Sequence, residues 1–189
     1  MVIIMKDIII DDSVIGKLIY RKDNWRRINP VNYSFNGEER NIEIEIDILA
    51  GEATEYELGI GNWEEEDFDD DELTEHREYK EQVRYMYKKY IGDFEETLKL
   101  IEKIIREDYD EFISKTTKDD IVKIIGKENY KIINKNNSNI INLVELDKVT
   151  IFDKRVRIIG RCKWYVNNEF GINFWKDGKY SVGNLDTIY

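Results

Sequence analysis

This chain of 189 residues contains only one Cys, one His and one Pro. A single cysteine excludes an internal disulfide, and one cysteine with one histidine cannot supply the four ligands of a structural zinc site. No apolar run approaches the ~20 residues of a membrane-spanning helix, and the N-terminus has neither a basic start nor a small-residue cleavage site. These absences predict a cytoplasmic protein with no structural zinc and no membrane partner.

Motifs for catalysis and cofactor binding are also scarce. A cysteine–histidine nucleophile would have to pair Cys162 with His76. The strand position of Cys162, next to Trp164, predicts a core residue, and the acidic surroundings of His76 predict a solvated side chain. Neither the G-x-x-x-x-G-K-[ST] nor the G-x-G-x-x-G phosphate-binding pattern occurs. We therefore expect no cofactor and no catalytic residues of these kinds.

The chain is nevertheless rich enough in apolar residues to fold. Hydrophobic residues make up 41% and aromatic residues 12% of it. These shares are too high for a disordered protein, although 37% of the residues are charged. The length is within the range of one hydrophobic core, so we predict a single domain over residues 1–189.

Residues 1–50 are predicted to form a small meander of strands. Val2–Ile10 and Val14–Tyr20 are β-prone runs separated by a turn, and Asn36-Gly37 is a strong hairpin signal. From Ile42 to Ile48 the chain alternates isoleucine with an acidic residue at every step. That alternation predicts a strand with one buried and one solvated face.

Residues 73–134 are predicted to be helical. Between Tyr79 and Phe112, large apolar residues recur at steps of three, four or seven, which places them on one helix face. Asp93 and Thr117, each with an acidic residue three positions later, resemble capping boxes, and Gly126 marks a helix end. We expect two to four central helices.

Residues 147–189 return to short β-prone runs. The candidate strands are Val149–Phe152, Val156–Cys162, Phe170–Trp175 and Tyr180–Val182, and an Asp-Gly turn joins the last two. Strands followed by helices and then strands predict an α+β fold. In it, an antiparallel sheet built from both terminal strand blocks packs against the central helices.

The negative charge is concentrated in residues 52–78, which hold thirteen Asp/Glu and one Arg, a balance of 1 − 13 = −12 in a chain of net charge −11. Such a segment favours a basic protein partner and repels nucleic acid and anionic membranes. Two aromatic residues are embedded in its central part, as in many interface hot spots. This acidic run is our candidate partner-binding site: Trp63, Glu64, Glu65, Glu66, Asp67, Phe68, Asp69, Asp70, Asp71 and Glu72.

Two other interpretations of the acidic run stay open. One is a solvated loop that only adds solubility, with its aromatic rings tucked into the domain's own core. The other is a site for Ca²⁺ or Mg²⁺, which prefer oxygen ligands. The run lacks the glycine of an EF-hand loop, so we expect no metal site of that kind.

The rival function is an enzyme that uses carboxylates as acid and base. Its candidate residues are Glu43, Glu45 and Asp47 on the open face of their strand, where solvated like charges ordinarily only keep an edge soluble. A structural domain without its own activity is the third alternative. A deep pocket with buried carboxylates would favour the enzyme, and a flat acidic patch would favour the binding protein.

The C-terminal block 147–189 combines basic and aromatic residues, with eight Lys/Arg against five Asp/Glu. Basic strands with aromatic rings can stack single-stranded bases. Arg155 and Arg157 are two positions apart on one strand face, which we expect to be the wet face, and the chain as a whole is strongly negative. We therefore expect no nucleic-acid partner.

One motif near the C-terminus is made of residues typical of hairpins. Its segments are Cys162-Lys163-Trp164, Glu169–Phe174, Gly178-Lys179 and Val182–Asp186. It resembles the closing motif of small acidic cytosolic bacterial domains of unknown function. Phe170 stands where those domains usually have histidine, and the spacing from Trp164 to Gly171 is slightly longer here. The resemblance implies an α+β fold and kinship with immunity proteins of bacterial toxin systems, and it brings no catalytic residues.

These patterns together predict a non-enzymatic binding protein of the immunity or inhibitor kind. An inhibitor of a cationic toxin domain needs a concentrated anionic surface with rigid anchors, which the acidic run would supply. The predicted partner is a basic protein, and the sequence makes no prediction of the oligomeric state.

Overall fold

The computed structural model describes residues 8–21, 24–35, 37–47, 52–57, 59, 64–135 and 137–186, and these form an α+β fold, as predicted. Nine strands are found in this part of the chain: β1 Ile8–Asp12, β2 Gly16–Arg21, β3 Asn24–Arg27, β4 Val31–Phe35, β5 Glu38–Ile46, β6 Val144–Ile151, β7 Arg155–Cys162, β8 Glu169–Trp175 and β9 Tyr180–Asn184.

The helices lie between the two strand blocks. They are α1 Glu52–Glu57, α2 Asp70–Tyr90, α3 Phe94–Lys115, α4 Lys118–Ile125 and α5 Lys127–Lys135, with short 3₁₀ turns at Glu65–Asp67, Asn137–Leu143 and Val166–Asn168. Four helices therefore occupy the predicted helical region, and α1 is an additional helix inside the acidic segment. Within the described ranges, no helix is long and apolar enough to cross a membrane.

All strands belong to one sheet with the order β1-β2-β3-β5-β6-β7-β8-β9, and β4 pairs with the first half of β5. Every pairing is antiparallel except β5 with β6, which is parallel. This pair joins the two terminal blocks, from Glu43 opposite Lys148 to Ile46 opposite Ile151. The predicted shared sheet is confirmed. The strand pair that joins its two halves is parallel, whereas the prediction was an antiparallel sheet.

One face of the sheet carries the core. The register places Ile46, Ile151, Val156 and Phe174 in one row across four strands, and all four are buried. The helices cover this face: the ring of Tyr90 in α2 stacks on Phe174 with 5.2 Å between centroids. The predicted alternation in β5 is confirmed for the isoleucines at 42, 44 and 46, while Ile48 lies outside the described residues.

Local capping signals set most helix ends. Asp93 and Thr117 are the N-caps of α3 and α4, each accepting a hydrogen bond from the backbone three residues later. Gly126 ends α4 at φ +89°, a conformation that favours glycine. The helices α2 and α3 are separate, and Gly92 lies in the break between them, where glycine favours a helix end.

Two further contacts hold the helical layer to the sheet. Arg84 of α2 donates from Nε and Nη2 to Asp12 Oδ2, at 3.0 and 2.9 Å, while Asp12 Oδ1 accepts from the backbone of Val14 and Ile15. Burial raises the pKa of Asp12, but Arg84 and the two backbone donors outweigh it and hold that pKa below its usual value. The first strand turn is thereby fixed to α2.

Candidate functional site

The acidic run lies on the surface where the chain enters α2. Its described carboxylates are exposed: Glu64, Glu66, Asp67, Asp69, Asp70, Asp71 and Glu72. Trp63 lies outside the described residues, as does the side chain of Glu65. Seven of the ten predicted residues are therefore solvent-facing carboxylates in the part of the run that the structure describes.

Several of these carboxylates also have a local structural role. Asp69 is the N-cap of α2: its Oδ1 accepts from the Glu72 backbone at 2.8 Å, and Glu72 accepts in return from the Asp69 backbone at 3.4 Å. Asp70 and Asp71 lie in the first helical turn, where the helix dipole favours negative charge. This explains why acidic residues suit the position, and it leaves their charges facing water.

The described carboxylates of the acidic run are not neutralised by the protein's own cations. Among the residues that the structure describes, no lysine or arginine nitrogen lies within 4.0 Å of any of the seven. Elsewhere in the acidic segment the charge is partly balanced, because Glu57 forms an ion pair with Lys80. Net negative charge is thus concentrated on the acidic run itself.

Phe68, the aromatic residue of the run that the structure describes, is half-buried. Its ring centroid lies 5.2 Å from that of Tyr56 in α1. The ring therefore packs against another part of the same chain and fixes the run to α1. This contact favours the alternative in which the aromatic residue anchors the segment and does not project toward a partner.

His76 is buried, with only 3% of its surface exposed, and the prediction of a solvated histidine was wrong. Its Nε2 lies 3.2 Å from Glu57 Oε2 and 3.5 Å from Thr54 Oγ1, and Lys80 binds the same Glu57 oxygen. Burial lowers the pKa of His76, and the opposing effect of Glu57 does not restore it. His76 is buried because α1, which the sequence did not reveal, packs over it.

The threonine, histidine and glutamate of this cluster do not have the geometry of a catalytic triad. In a triad the base uses one ring nitrogen for the nucleophile and the other for the carboxylate that orients it. Here Thr54 and Glu57 both contact Nε2 of His76. The arrangement is that of a polar contact joining α1 to α2.

Cys162 is buried in the core, as predicted. Burial raises the pKa of its thiol, which keeps it protonated and unreactive at neutral pH. The contacts of His76 are with α1, and those of Cys162 are with the sheet core and the adjacent backbone. This geometry does not favour the cysteine–histidine pair.

The carboxylates proposed for a rival enzyme do not form one site. Glu45 was expected on a solvated face and is instead buried, with Oε1 2.8 Å from Arg26 and Oε2 2.7 Å from Lys148. Glu43 is exposed, and Asp47 is half-exposed with its backbone oxygen accepting from Tyr79 at 2.6 Å. Both oxygens of Glu45 are occupied by cations, which suits a cross-strand ion pair better than proton transfer.

The arginines of the C-terminal block also differ from expectation. Arg157 was expected on the wet face, but it is 9% exposed, and its Nε donates to the buried Asn173 at 3.1 Å. The guanidinium of Arg155 lies over the ring of Phe152, 4.7 Å from its centroid. These side chains are engaged within the sheet and do not present a basic, base-stacking surface.

A cleft of about 400 Å³ lies between the second half of α3, the segment after β7, and β9. Ten of the described residues line it, of which three are acidic, four are aromatic and one is a lysine: Ile104, Glu107, Asp108, Glu111, Phe112, Lys115, Trp164, Tyr165, Tyr180 and Val182. The charges of this lining sum to 1 − 3 = −2. We refer to it as the aromatic cleft.

Hydrogen bonds fix the walls of the aromatic cleft. Trp164 Nε1 donates to Asp108 Oδ2 at 2.7 Å, and the hydroxyl of Tyr165 donates to Asp108 Oδ1 at 2.6 Å. Tyr180 donates to Glu107 Oε2 at 2.8 Å. Burial, and then the Asp108 carboxylate, raise the pKa of Tyr165, so its phenol remains a donor at neutral pH.

The aromatic cleft was not predicted from the sequence. Glu107, Asp108 and Glu111 lie on α3 within about one turn of one another, a spacing that ordinarily indicates a solvated helix face. Their aromatic partners are more than fifty positions away in the sequence, as with Trp164 and Asp108. The available signal was the accumulation of Trp164, Tyr165 and Tyr180 in the C-terminal strand block.

Comparisons with family models, with curated proteins and with solved structures find no match to this chain. Among the described residues, no group of three or more His, Cys, Asp or Glu side chains is arranged to hold a metal ion.

Proposed function

We propose that this chain is a non-enzymatic binding protein of the immunity or inhibitor kind, which uses the acidic run to bind a basic protein partner. The observation that carries the proposal is the group of exposed carboxylates from Glu64 to Glu72, which lack ion pairs within the part of the chain that the structure describes. A concentrated anionic surface speeds association with a cationic partner and excludes partners of like charge.

The proposal is tested with two variants that each lose four negative charges, in different regions of the surface. The first variant removes four carboxylates of the acidic run that do not cap α2: Glu64→Gln, Glu66→Gln, Asp70→Asn and Asp71→Asn. The control removes four exposed carboxylates elsewhere: Glu39→Gln, Glu43→Gln, Glu95→Gln and Glu169→Gln. Each variant has a net charge of −11 + 4 = −7, so any difference between them is a matter of location.

Binding of a fluorescently labelled octalysine peptide is measured by anisotropy at about 50 mM salt, where surface charges are weakly screened. The acidic-run variant should bind about tenfold more weakly than wild type, from four exposed charges each contributing a few tenths of a kcal/mol. The control should stay within about twofold. Equal weakening of both variants would contradict a localised binding surface.

The immunity role is tested in cells. We expect the gene next to this one to encode a secreted toxin with a basic catalytic domain. Co-expression of this protein should relieve the growth arrest that the toxin domain causes, and the acidic-run variant should relieve it less well than the matched control. Undiminished protection by the acidic-run variant would contradict the proposed role of that surface.

A further inference from the structure

The aromatic cleft has the chemistry of a cation-binding site. We propose that it binds the side chain of one arginine or lysine from a protein partner, as a second contact point that contains no residue of the acidic run. The inference goes beyond the proposed function, because it assigns a ligand to a part of the molecule on which that proposal does not rest.

The aromatic cleft is large enough to admit one long side chain. Its volume of about 400 Å³ falls within the range of small-ligand pockets. Ile104 and Val182 add apolar lining to the cleft, which suits the methylene stem of lysine or arginine.

The charge of the cleft selects a cation. Its lining carries three carboxylates against one ammonium group, that of Lys115, which is engaged by Glu111. The hydrogen bond from Lys115 holds the pKa of Glu111 below its usual value, so this carboxylate is charged at neutral pH. Glu107 Oε1 lies 3.7 Å from Lys103 Nζ, whereas Asp108 is held by neutral donors alone. Each carboxylate oxygen can accept more than one hydrogen bond, so both residues keep acceptor capacity for an incoming donor.

The aromatic lining favours the same ligand class. The carboxylates share the cleft with four aromatic residues: Phe112, Trp164, Tyr165 and Tyr180. Cations are attracted to the faces of aromatic rings, most strongly to tryptophan. An anion would be repelled by the carboxylates. A neutral donor can hydrogen-bond to them but forms no ion pair.

The site is also ordered before a ligand arrives. Trp164 and Tyr165 are both held by Asp108, and Trp164 also packs edge-on against Tyr109 with 5.2 Å between centroids. Rings that are already fixed lose little conformational entropy on binding, which favours affinity.

The test follows the indole N–H resonance of Trp164, assigned with a Trp164→Phe variant, in ¹H–¹⁵N spectra of the full chain. The probes are three capped tripeptides, Gly-Arg-Gly, Gly-Lys-Gly and Gly-citrulline-Gly, each added to about 20 mM, since single-side-chain contacts bind on the order of 1 mM. Saturable movement of the resonance with an arginine or lysine peptide, and a much weaker response to citrulline, is the expected result.

A matched pair of variants separates the cleft from general charge. Glu107→Gln combined with Glu111→Gln should weaken binding about threefold or more. Glu95→Gln combined with Glu96→Gln removes the same number of charges from exposed residues of α3 outside the cleft lining, and should leave binding unchanged. No movement of the resonance, an equal response to citrulline, or equal weakening in this control would each overturn the inference.

The two proposals fail separately. The acidic-run variant should retain the Trp164 titration, because none of its substitutions lies in the cleft lining. In the wild-type protein, weak octalysine binding together with an intact Trp164 titration would leave only the aromatic cleft as a binding site. Strong octalysine binding without a Trp164 titration would leave only the acidic run.

Discussion

At the scale of single residues, a buried polar side chain makes the stability of the protein depend on pH. His76 is buried against Glu57 and Thr54, although it is surrounded in the sequence by acidic residues. A buried histidine with a lowered pKa links stability to pH, and the direction of the effect follows from which state binds more protons.

Acidification below about pH 6.5 should destabilise the protein through His76. The folded-state pKa lies below the usual 6.5 because of burial, reinforced by Lys80 and Arg77 and opposed by Glu57. The unfolded chain therefore binds the proton first, and the free energy of unfolding decreases as pH falls, by at most about 1.4 kcal/mol per pH unit. Urea denaturation at about pH 7.5, 6.5 and 5.5 measures it.

His76→Gln is the control, because it keeps a polar side chain that does not titrate. Its stability should change less over this pH window than that of wild type. Glu57 and Asp12, whose pKa values are lowered in the folded state, lose their contributions only below about pH 4.5, outside the window. An identical pH dependence in wild type and variant would contradict the assignment.

Gly160 is the second residue-scale constraint. A Cβ at this position would lie 2.2 Å from the Glu145 backbone oxygen and 2.7 Å from the ring of Phe170. Because the first of these atoms is backbone of the neighbouring strand β6, we expect Gly160→Ala to destabilise the protein by about 3 kcal/mol through overpacking.

Gly178→Ala is the matched comparison for Gly160→Ala. It meets no atom within 4 Å but has φ +88°, so it should cost only the backbone strain of about 1 kcal/mol. Thermal or urea unfolding of both variants compares the two costs. A smaller effect at Gly160 than at Gly178 would mean that β6 and β7 can separate to admit a methyl group.

At the scale of elements, features that depend on residues close in the sequence could be predicted, and features that depend on distant residues could not. The caps at Asp93 and Thr117 and the hairpin at Gly178 were predictable because each depends on neighbours within a few positions. Helix α1 was missed because six residues are too few for a periodic pattern. The burial of His76 followed from that omission, since its partners lie on α1.

Side-chain contacts between elements that are distant in the sequence could not be predicted from the pattern of residues. Glu45 alternates with isoleucines as a solvated residue would, but its two cations come from neighbouring strands, Arg26 from β3 and Lys148 from β6. The aromatic cleft has the same origin, since α3 and β9 meet only in the folded chain. Of the candidate site, the sequence located the acidic run and missed the aromatic cleft.

Two neighbouring carboxylates at the N-terminus of α2 have different roles: Asp69 caps the helix, and Asp70 only adds surface charge. Asp69→Ala removes the N-cap and should cost about 1 kcal/mol in the free energy of unfolding, whereas Asp69→Ser should restore most of it. Asp70→Asn, one residue further along and free of capping bonds, should change stability by less than about 0.5 kcal/mol. Urea denaturation of the three variants checks the order, and a larger loss in Asp70→Asn than in Asp69→Ala would contradict it.

At the scale of the whole molecule, the parallel pairing of β5 with β6 joins the terminal blocks into one sheet. We predict that the blocks unfold together. Ile44→Ala, a buried residue on β5 opposite Val149, should cost about 2–5 kcal/mol and shift the unfolding of both blocks. Urea titrations that follow the indole resonances of Trp25 in the first block and Trp164 in the second would show coincident midpoints.

Glu43→Ala, an exposed residue on the same strand, is the control and should leave both midpoints within about 0.5 kcal/mol of wild type. A shift of Trp25 alone in Ile44→Ala would show two independent folding units and would contradict the single-domain prediction.

The same strand pair has a consequence for biosynthesis. Glu43 and Lys148 are 148 − 43 = 105 positions apart, so β1–β5 emerge from the ribosome long before their neighbour exists. Until then, one edge of β5 offers unpaired backbone groups beside isoleucine side chains, a template for wrong association between nascent chains. A translation product interrupted ahead of Val144 should therefore aggregate or recruit chaperones and should not accumulate as a folded half.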